Sequence, residues 1–467
     1  MCDATVRNSG TSRTATGTPV AARPEPHPGS SPQDRELLLL DAEDTTHLRG
    51  RVAYLAELTG RLESAEFGAL TGTLQRSLAG RPVRAAVVAA SPEQASERFA
   101  RLLAMLDDGA RAAVDLTGGV FLGEGDGLPS IGYLFPGQGS GKGDDGGALA
   151  RRFETVRDLY RTVTLPACED PAATIVAQPR ITMSSVAGLR VLSLLGIEAA
   201  AAVGHSLGEL TALHWAGAMT ESELFALAAA RGRVMMEASE GGGAMAGIGA
   251  GPDEVEPLLR GEPVVIAGYN GPAQTGISGP AEAVKRVREA AAANGLRAAR
   301  VPVSHAFHSP AVAPAAAKLD SYLAGRQFQP LARRVLSTLT GDVLPADADL
   351  RQLLVRQVRE PVRFSQALSR MAPEVDLLIE VGPGRVLSGL AARITPDTPV
   401  IPLNTDGPSL SGLLSAVAAA YVLGMTVRHD RLMVGRLMTT LQLNEDSWSG
   451  WPARSARLVG DRASRPR

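Results

Sequence analysis

A short apolar run, Ala200–Val203, leads straight into Gly204-His205-Ser206-Leu207-Gly208, and a helical stretch follows. This junction constrains the fold more than any other feature. A buried strand can turn at once into a helix only where small residues let the two backbones approach. The G-x-S-x-G pattern supplies them and leaves the serine hydroxyl exposed at the helix start. There the unpaired N–H groups and the helix dipole favour developing negative charge. The surrounding chain keeps the same rhythm. Ile131–Phe135, Leu377–Val381 and Pro399–Leu403 read as buried strands, and 147–163 and 174–195 as helices. Such alternation implies a parallel sheet covered by helices on both faces.

Two other regions break this rhythm. Between 244 and 303, four strand-like runs (Ala244–Ala250, Val264–Ala267, Thr275–Ser278, Arg297–Val303) alternate with helices near 252–260 and 280–294. That βαββαβ order is ferredoxin-like. Upstream, Glu36–Leu40 and Arg84–Ala89 suit buried strands, and 44–64 carries apolar residues at helical spacing. Ser91-Pro92-Glu93-Gln94 is a strong helix start. The expected organisation is a disordered tail at 1–33, a small α/β domain at 34–128, a parallel-sheet α/β-hydrolase-like core at 129–243 and 304–404, an inserted ferredoxin-like subdomain at 244–303, and a C-terminal helix and tail at 405–467. Trp448 and Trp451 are candidates to pack that tail onto the body.

Charge and cysteine content remove several function classes. Net charge is −2, so no global basic field draws the chain to nucleic acid. Two cysteines, Cys2 and Cys168, cannot build a disulfide framework or a Cys-based zinc site, and they fit a reducing, cytoplasmic setting. Cys168 is expected to be inert. The uncharged stretch Gly407–Val427 contains Pro408, three serines and three glycines, and reads as a packed helix, not a membrane span.

Taken with their order, several motifs resemble one family. Phe135-Pro136-Gly137-Gln138-Gly139-Ser140, Gly204–Leu210, Arg231-Gly232-Arg233, Gly243-Ala244-Met245, Asn270-Gly271-Pro272, Ser304–Pro310 and Glu380–Gly384 occur in sequence. Together they resemble the malonyl-CoA:acyl carrier protein transacylase family, in particular the acyltransferase domains of type I polyketide synthases. The likeness spans about 131–404, and 36–120 resembles the linker that precedes such domains. Ala200–Met219 is similar to the iterative, enediyne-type synthases. One departure stands out: Ser140 is followed by Gly141-Lys142-Gly143-Asp144-Asp145-Gly146-Gly147, unlike the more usual modular pattern.

The resemblance implies roles by position. Ser206 is the nucleophile of a two-step acyl exchange and His308 its base, oriented by a backbone carbonyl and without a carboxylate third member. The backbone N–H groups of Gln138 and Leu207 form the oxyanion hole. Arg231 pairs with the free carboxylate of malonate, because a guanidinium fork matches a carboxylate in two bonds. Gln178 and Asn270 support the pocket. In His305-Ala306-Phe307-His308, Phe307 limits room beside the substrate α-carbon and biases the choice toward malonyl over methylmalonyl. His205 and Glu209 read as structural.

The implied function is a malonyl transferase working between coenzyme A and an acyl carrier protein, with a ketosynthase domain as a further partner. Arg-rich stretches within 297–334 are the expected meeting surface for an acidic carrier. No metal or resident cofactor is implied. An acyl hydrolase on the same fold is the alternative, and Arg231 weighs against it. An unrelated esterase would need an acid and then a His after Ser206, and would leave Phe135–Ser140 unexplained. A non-catalytic docking domain would need a damaged site. No ketosynthase, reductase or carrier-protein motif is recognisable, so an excised domain and a stand-alone enzyme both stay open.

Overall fold

The computed structural model describes residues 33–443 apart from 126, 167, 169, 171–172, 239–241, 302, 304 and 437–440. The tail at 1–32, Trp448 and Trp451 lie outside the described residues. Two compact units emerge: Asp34–Leu128 with the chain from Val417 onward, and Pro129–Ala416.

The first unit is an antiparallel sheet of four strands: β1 (Glu36–Ala42), β2 (Val83–Ala89), β3 (Ala113–Asp115) and β4 (Val120–Glu124), in the order β1-β2-β4-β3. Helices Thr45–Thr59 and Pro92–Asp107 follow the first two strands. Ser91 caps the second of these, accepting a bond from the Gln94 N–H with Pro92 behind it. A further helix, Ser64–Ser77, extends the one expected at 44–64 into a pair. The chain after 417, whose sequence shows no strong period beyond 428, is tied in by polar contacts. Arg84 Nη1 donates to the Tyr421 carbonyl (3.0 Å), and the Tyr421 hydroxyl donates to that of Leu40 (3.1 Å). Arg436 forms a two-bond ion pair with Glu36, and Leu441 and Leu443 pack on the apolar core.

The second unit holds two sheets. The larger contains β5 (Ile131–Phe135), β6 (Ala201–Gly204), β11 (Arg334–Leu336), β12 (Leu377–Glu380) and β13 (Val400–Pro402). These five strands are all parallel, in the order β11-β6-β5-β12-β13. The smaller sheet contains β7 (Gly243–Ile248), β8 (Val265–Gly271), β9 (Gln274–Pro280) and β10 (Ala298–Arg300), antiparallel in the order β10-β7-β9-β8. The fold is therefore α/β, with a parallel-sheet core and an inserted ferredoxin-like subdomain. Strand β11 has no counterpart in the expected set, because three residues are too few for a period. The helix expected at 147–163 is two, Gly147–Arg152 and Glu154–Thr162, parted where Phe153 adopts an extended backbone.

Parallel sheets offer their ligand sites at the carboxyl ends of the strands. Here β5, β6 and β12 end in Pro136-Gly137-Gln138, His205-Ser206 and Val381-Gly382 respectively. The buried Glu380 carboxylate, at the end of β12, accepts from the N–H groups of Leu387 and Ser388 and from the Ser388 hydroxyl. That anchors helix Val386–Ile394 beside the site. Among the described residues no helix is long and apolar enough to cross a membrane. The uncharged stretch at 407–427 forms helix Ser411–Val422, largely buried. Cys168, expected to be inert, takes part in a disulfide.

Candidate active site

The elbow owes its shape to two glycines. A Cβ on Gly208 would lie 2.0 Å from the Phe135 carbonyl oxygen, and one on Gly204 would lie 2.2 Å from the Glu209 nitrogen. Only glycine lets β5, β6 and the helix Gly208–Trp215 come so close. The cost appears at Ser206, which sits in the left-handed region at φ 51°. His308 does the same at φ 56°. Non-glycine residues held there cost on the order of 1–3 kcal/mol each and persist only where the surroundings fix them.

Those surroundings are hydrogen bonds. Ser206 Oγ lies 2.8 Å from His308 Nε2, and His308 Nδ1–H donates to the Glu360 backbone carbonyl at 2.9 Å. The His308 N–H donates to the Val358 carbonyl. With Nδ1 holding a proton, Nε2 carries the lone pair that faces the serine. Burial, the nearby Arg231 cation and His205 push His308 down from 6.5 to about 3, so the ring is neutral at physiological pH. A neutral, oriented imidazole against a serine hydroxyl can accept its proton.

Arg231 reaches this pair from helix Glu221–Glu237. Thr220 and Glu223 form a capping box at its start, and Leu224, Leu227, Ala228, Arg231 and Met235 share its buried stripe. Helical register thus carries Arg231 inside (1% exposed) while Arg233 faces out. Its Nη2 lies 3.4 Å from Ser206 Oγ and donates to Gln357 Oε1 at 3.3 Å, and its Nε has no partner among the described residues. Burial lowers Arg231 to about 10, with Glu209 opposing the shift, so it remains a cation.

Beneath the serine lies a buried polar network that sequence reasoning missed. Gln357 Nε2 donates to the Glu209 carboxylate (2.6 Å) and to the Ser206 carbonyl (3.0 Å). The Thr338 hydroxyl lies 3.0 Å from the Gly204 carbonyl and 3.1 Å from Glu209. Burial pushes the Glu209 carboxyl above its ordinary value. Gln357 and Thr338 stand far along the chain from Ser206 in stretches without a motif, so nothing local signals them.

The remaining expected residues fall into two groups. His205 Nε2 pairs with Asn270 Oδ1 at 2.8 Å, linking the elbow to β8 of the smaller sheet. Gln178 Nε2 donates to Gln138 Oε1 at 3.3 Å, and Gln138 Nε2 donates to the Thr174 hydroxyl at 3.1 Å. The Gln138 and Leu207 N–H groups make no hydrogen bond among the described residues. Phe307 is buried, with the half-buried His305 ring 5.4 Å from its own; His305 makes no bond to Ser206 or His308. Both Ser206 and His308 open on a cavity of about 250 Å³ lined also by Gln138, Asn270, Met245 and Phe307. Arg231, Gln178 and His305 lie outside that lining. In the Arg-rich stretch, Arg333 and Arg334 pair with Glu198 and Glu374, while Arg297 and Arg300 are exposed.

A serine at an elbow beside a neutral histidine, on a parallel α/β sheet, defines the class of acyl-transferring and acyl-cleaving enzymes. The chain belongs to the Acyl transferase domain family, which matches residues 163–396. Polyketide synthase GfsB of Streptomyces halstedii is 34% identical over 66% of this chain, and the chain spans 6% of that synthase. The malonyl CoA-acyl carrier protein transacylase of Bacillus subtilis is 34% identical, matching 57% of this chain and 91% of its own length. A crystal structure of the acyltransferase domain of the iterative polyketide synthase in enediyne biosynthesis superposes with a TM-score of 0.72 at 34% identity, covering 83% of this chain and 96% of that one.

Proposed function

We propose that this chain moves a malonyl group from malonyl-CoA, through an ester on Ser206, to the phosphopantetheine thiol of an acyl carrier protein in polyketide biosynthesis. Ser206 Oγ attacks the thioester carbonyl while its proton passes to His308 Nε2. The C–O bond forms, the C–S bond breaks, and the leaving thiolate takes the proton from His308. The carrier's thiol then reverses the sequence. Gln138 and Leu207 offer their free N–H groups to the oxyanion of each tetrahedral intermediate, where one such donor is worth about 3–4 kcal/mol. Neither step needs a resident cofactor.

The observation that carries the malonyl reading is Arg231. A buried guanidinium 3.4 Å from the nucleophile, with its Nε unpaired, is costly unless a ligand anion completes it. A malonyl group ends in such an anion two carbons from the carbonyl under attack. An uncharged chain, as an editing hydrolase would process, leaves the cation unmatched. The exposed Arg297 and Arg300, next to the cavity-lining Val301, suit an acidic carrier.

Purified protein incubated separately with radiolabelled malonyl-CoA and methylmalonyl-CoA provides the test. The expected result is label on wild type and none on Ser206→Ala, with malonyl favoured and discharged onto a holo carrier protein. Absence of label from folded wild type overturns the reading, and label lost to water but never to a carrier turns it into a hydrolase.

A further inference from the structure

The glycine-rich segment after Ser140 serves no role in the transfer described above, yet it continues from the loop that bears Gln138. Three of its glycines, 141, 146 and 147, have positive φ, as does Gly139 just before it, so the segment gains little rigidity from its own backbone. Residues 141–143 are held by two side chains outside the segment. Asp406 Oδ2 accepts from the N–H groups of Lys142 (2.9 Å) and Gly143 (2.8 Å), and Oδ1 accepts from Gly384 (3.2 Å). Arg180, nearly buried on helix Thr174–Leu194, donates to the carbonyls of Gly143 (3.1 Å) and Gly141 (3.4 Å). The fit leaves no slack: a Cβ on Gly143 would come within 2.8 Å of the Asp406 Cβ.

We infer that Asp406, with Arg180, is a positioning residue for the oxyanion site, fixing the 139–143 segment so that the Gln138 N–H stays aimed into the cavity. Gln138 is held on its other side by Thr174 and Gln178, so the loop is pinned at both ends. A carboxylate can accept three N–H bonds at once. An asparagine of the same size turns an NH2 toward one set of donors and cannot. The inference rests on the proposed role of Gln138 but not on the identity of the acyl donor.

The test therefore uses a reagent that does not depend on malonyl chemistry. A fluorophosphonate phosphonylates an activated serine: the Oγ–P bond forms, fluoride leaves, and the serine proton goes to histidine. Its phosphoryl oxygen needs the same N–H donors as a thioester carbonyl. Asp406→Asn and Gly143→Ala should each slow labelling of Ser206 by about tenfold or more. The double variant should be little slower than either single one. With malonyl-CoA, kcat should fall while KM holds within about twofold. Melting temperature and near-UV circular dichroism identify variants that have simply unfolded; in that case Arg180→Lys, which keeps the cation and loses the two-carbonyl fork, replaces them. Wild-type labelling rates in the folded Asp406→Asn protein, or a rise in KM at constant kcat, overturn the inference. Failure of wild type to take malonyl while fluorophosphonate labelling still depends on Asp406 would reject the donor and keep the latch.

Discussion

The floor and the walls of the cavity are built on different principles. On the floor, Ser206 and His308, both with left-handed backbone, are tied by hydrogen bonds of 2.6–3.4 Å into a buried network of Arg231, Gln357 and Glu209 that lies behind the cavity lining. On the walls, Met245, Val301, Val303, Phe307 and Leu390 offer shape and no directional bond. Directional contacts fail sharply when one member is removed, because a buried partner is left without its bond. Shape contacts fail gradually. The floor should therefore determine whether a donor reacts at all, and the walls only which of two similar donors is preferred.

Arg231→Ala is the most severe way to break the comparison. Truncating one partner of a buried charge pair costs about 2–5 kcal/mol, so kcat/KM for malonyl-CoA should fall by about 30-fold to several thousandfold. Acetyl-CoA, which has no anion to lose, should suffer far less. Competition between the two donors, read by intact mass of the acyl-enzyme, measures the ratio. Equal losses would move Arg231 from donor recognition to general scaffolding.

Gln357→Leu attacks the same floor without touching a reacting atom. It removes the donor to Glu209 and to the Ser206 carbonyl, and the acceptor that steadies Arg231. Leaving buried groups unpaired should cost about 1–3 kcal/mol of stability, seen in urea unfolding, together with slower Ser206 labelling. A stable variant with wild-type labelling would mean that left-handed Ser206 is held by its glycines alone.

The pH response separates floor from walls in another way. His308 is held near 3 against an ordinary 6.5. As pH falls below about 6.5 the unfolded chain binds a proton that the folded site refuses, so His308's contribution to stability is lost progressively toward pH 3. Ser206 labelling in the folded range should accordingly lack an acid limb near 6.5. Arg231→Ala, by removing one cause of the shift, should move that limb upward.

These contrasts also explain what the sequence could reveal. Ser206 was legible because strand, glycine pair and helix are contiguous, and Arg231 only through the family resemblance, its place in a buried helical stripe emerging with the structure. His308 was legible through its family motif, while its orienting group is a main-chain carbonyl, Glu360, that no side-chain pattern encodes. Gln357, Thr338, Arg180 and Asp406 act across loops brought together only by the finished sheet. The ferredoxin-like order was readable because its strands alternate with helices over a short span; β11 was too brief to show. The placement of 417–436 rests on contacts such as Arg436 with Glu36, 400 residues apart.

Phe307 gives the smallest effect and tests the walls directly. It is buried, faces the cavity and has the His305 ring beside it. Phe307→Ser opens room about the size of the lost ring where a donor's α-methyl would sit. A single methylene is worth about 1–3 kcal/mol in a pocket, and an enlarged wet cavity should deliver the lower end. Selectivity for malonyl over methylmalonyl should therefore drop by about tenfold, measured by competition, with the absolute malonyl rate little changed. A fall in malonyl rate as large as that of Arg231→Ala would show that Phe307 supports the floor through the adjacent His308. An unchanged ratio would place donor choice elsewhere on the walls, with Met245 the next side chain to shorten, since it lines the same cavity from β7.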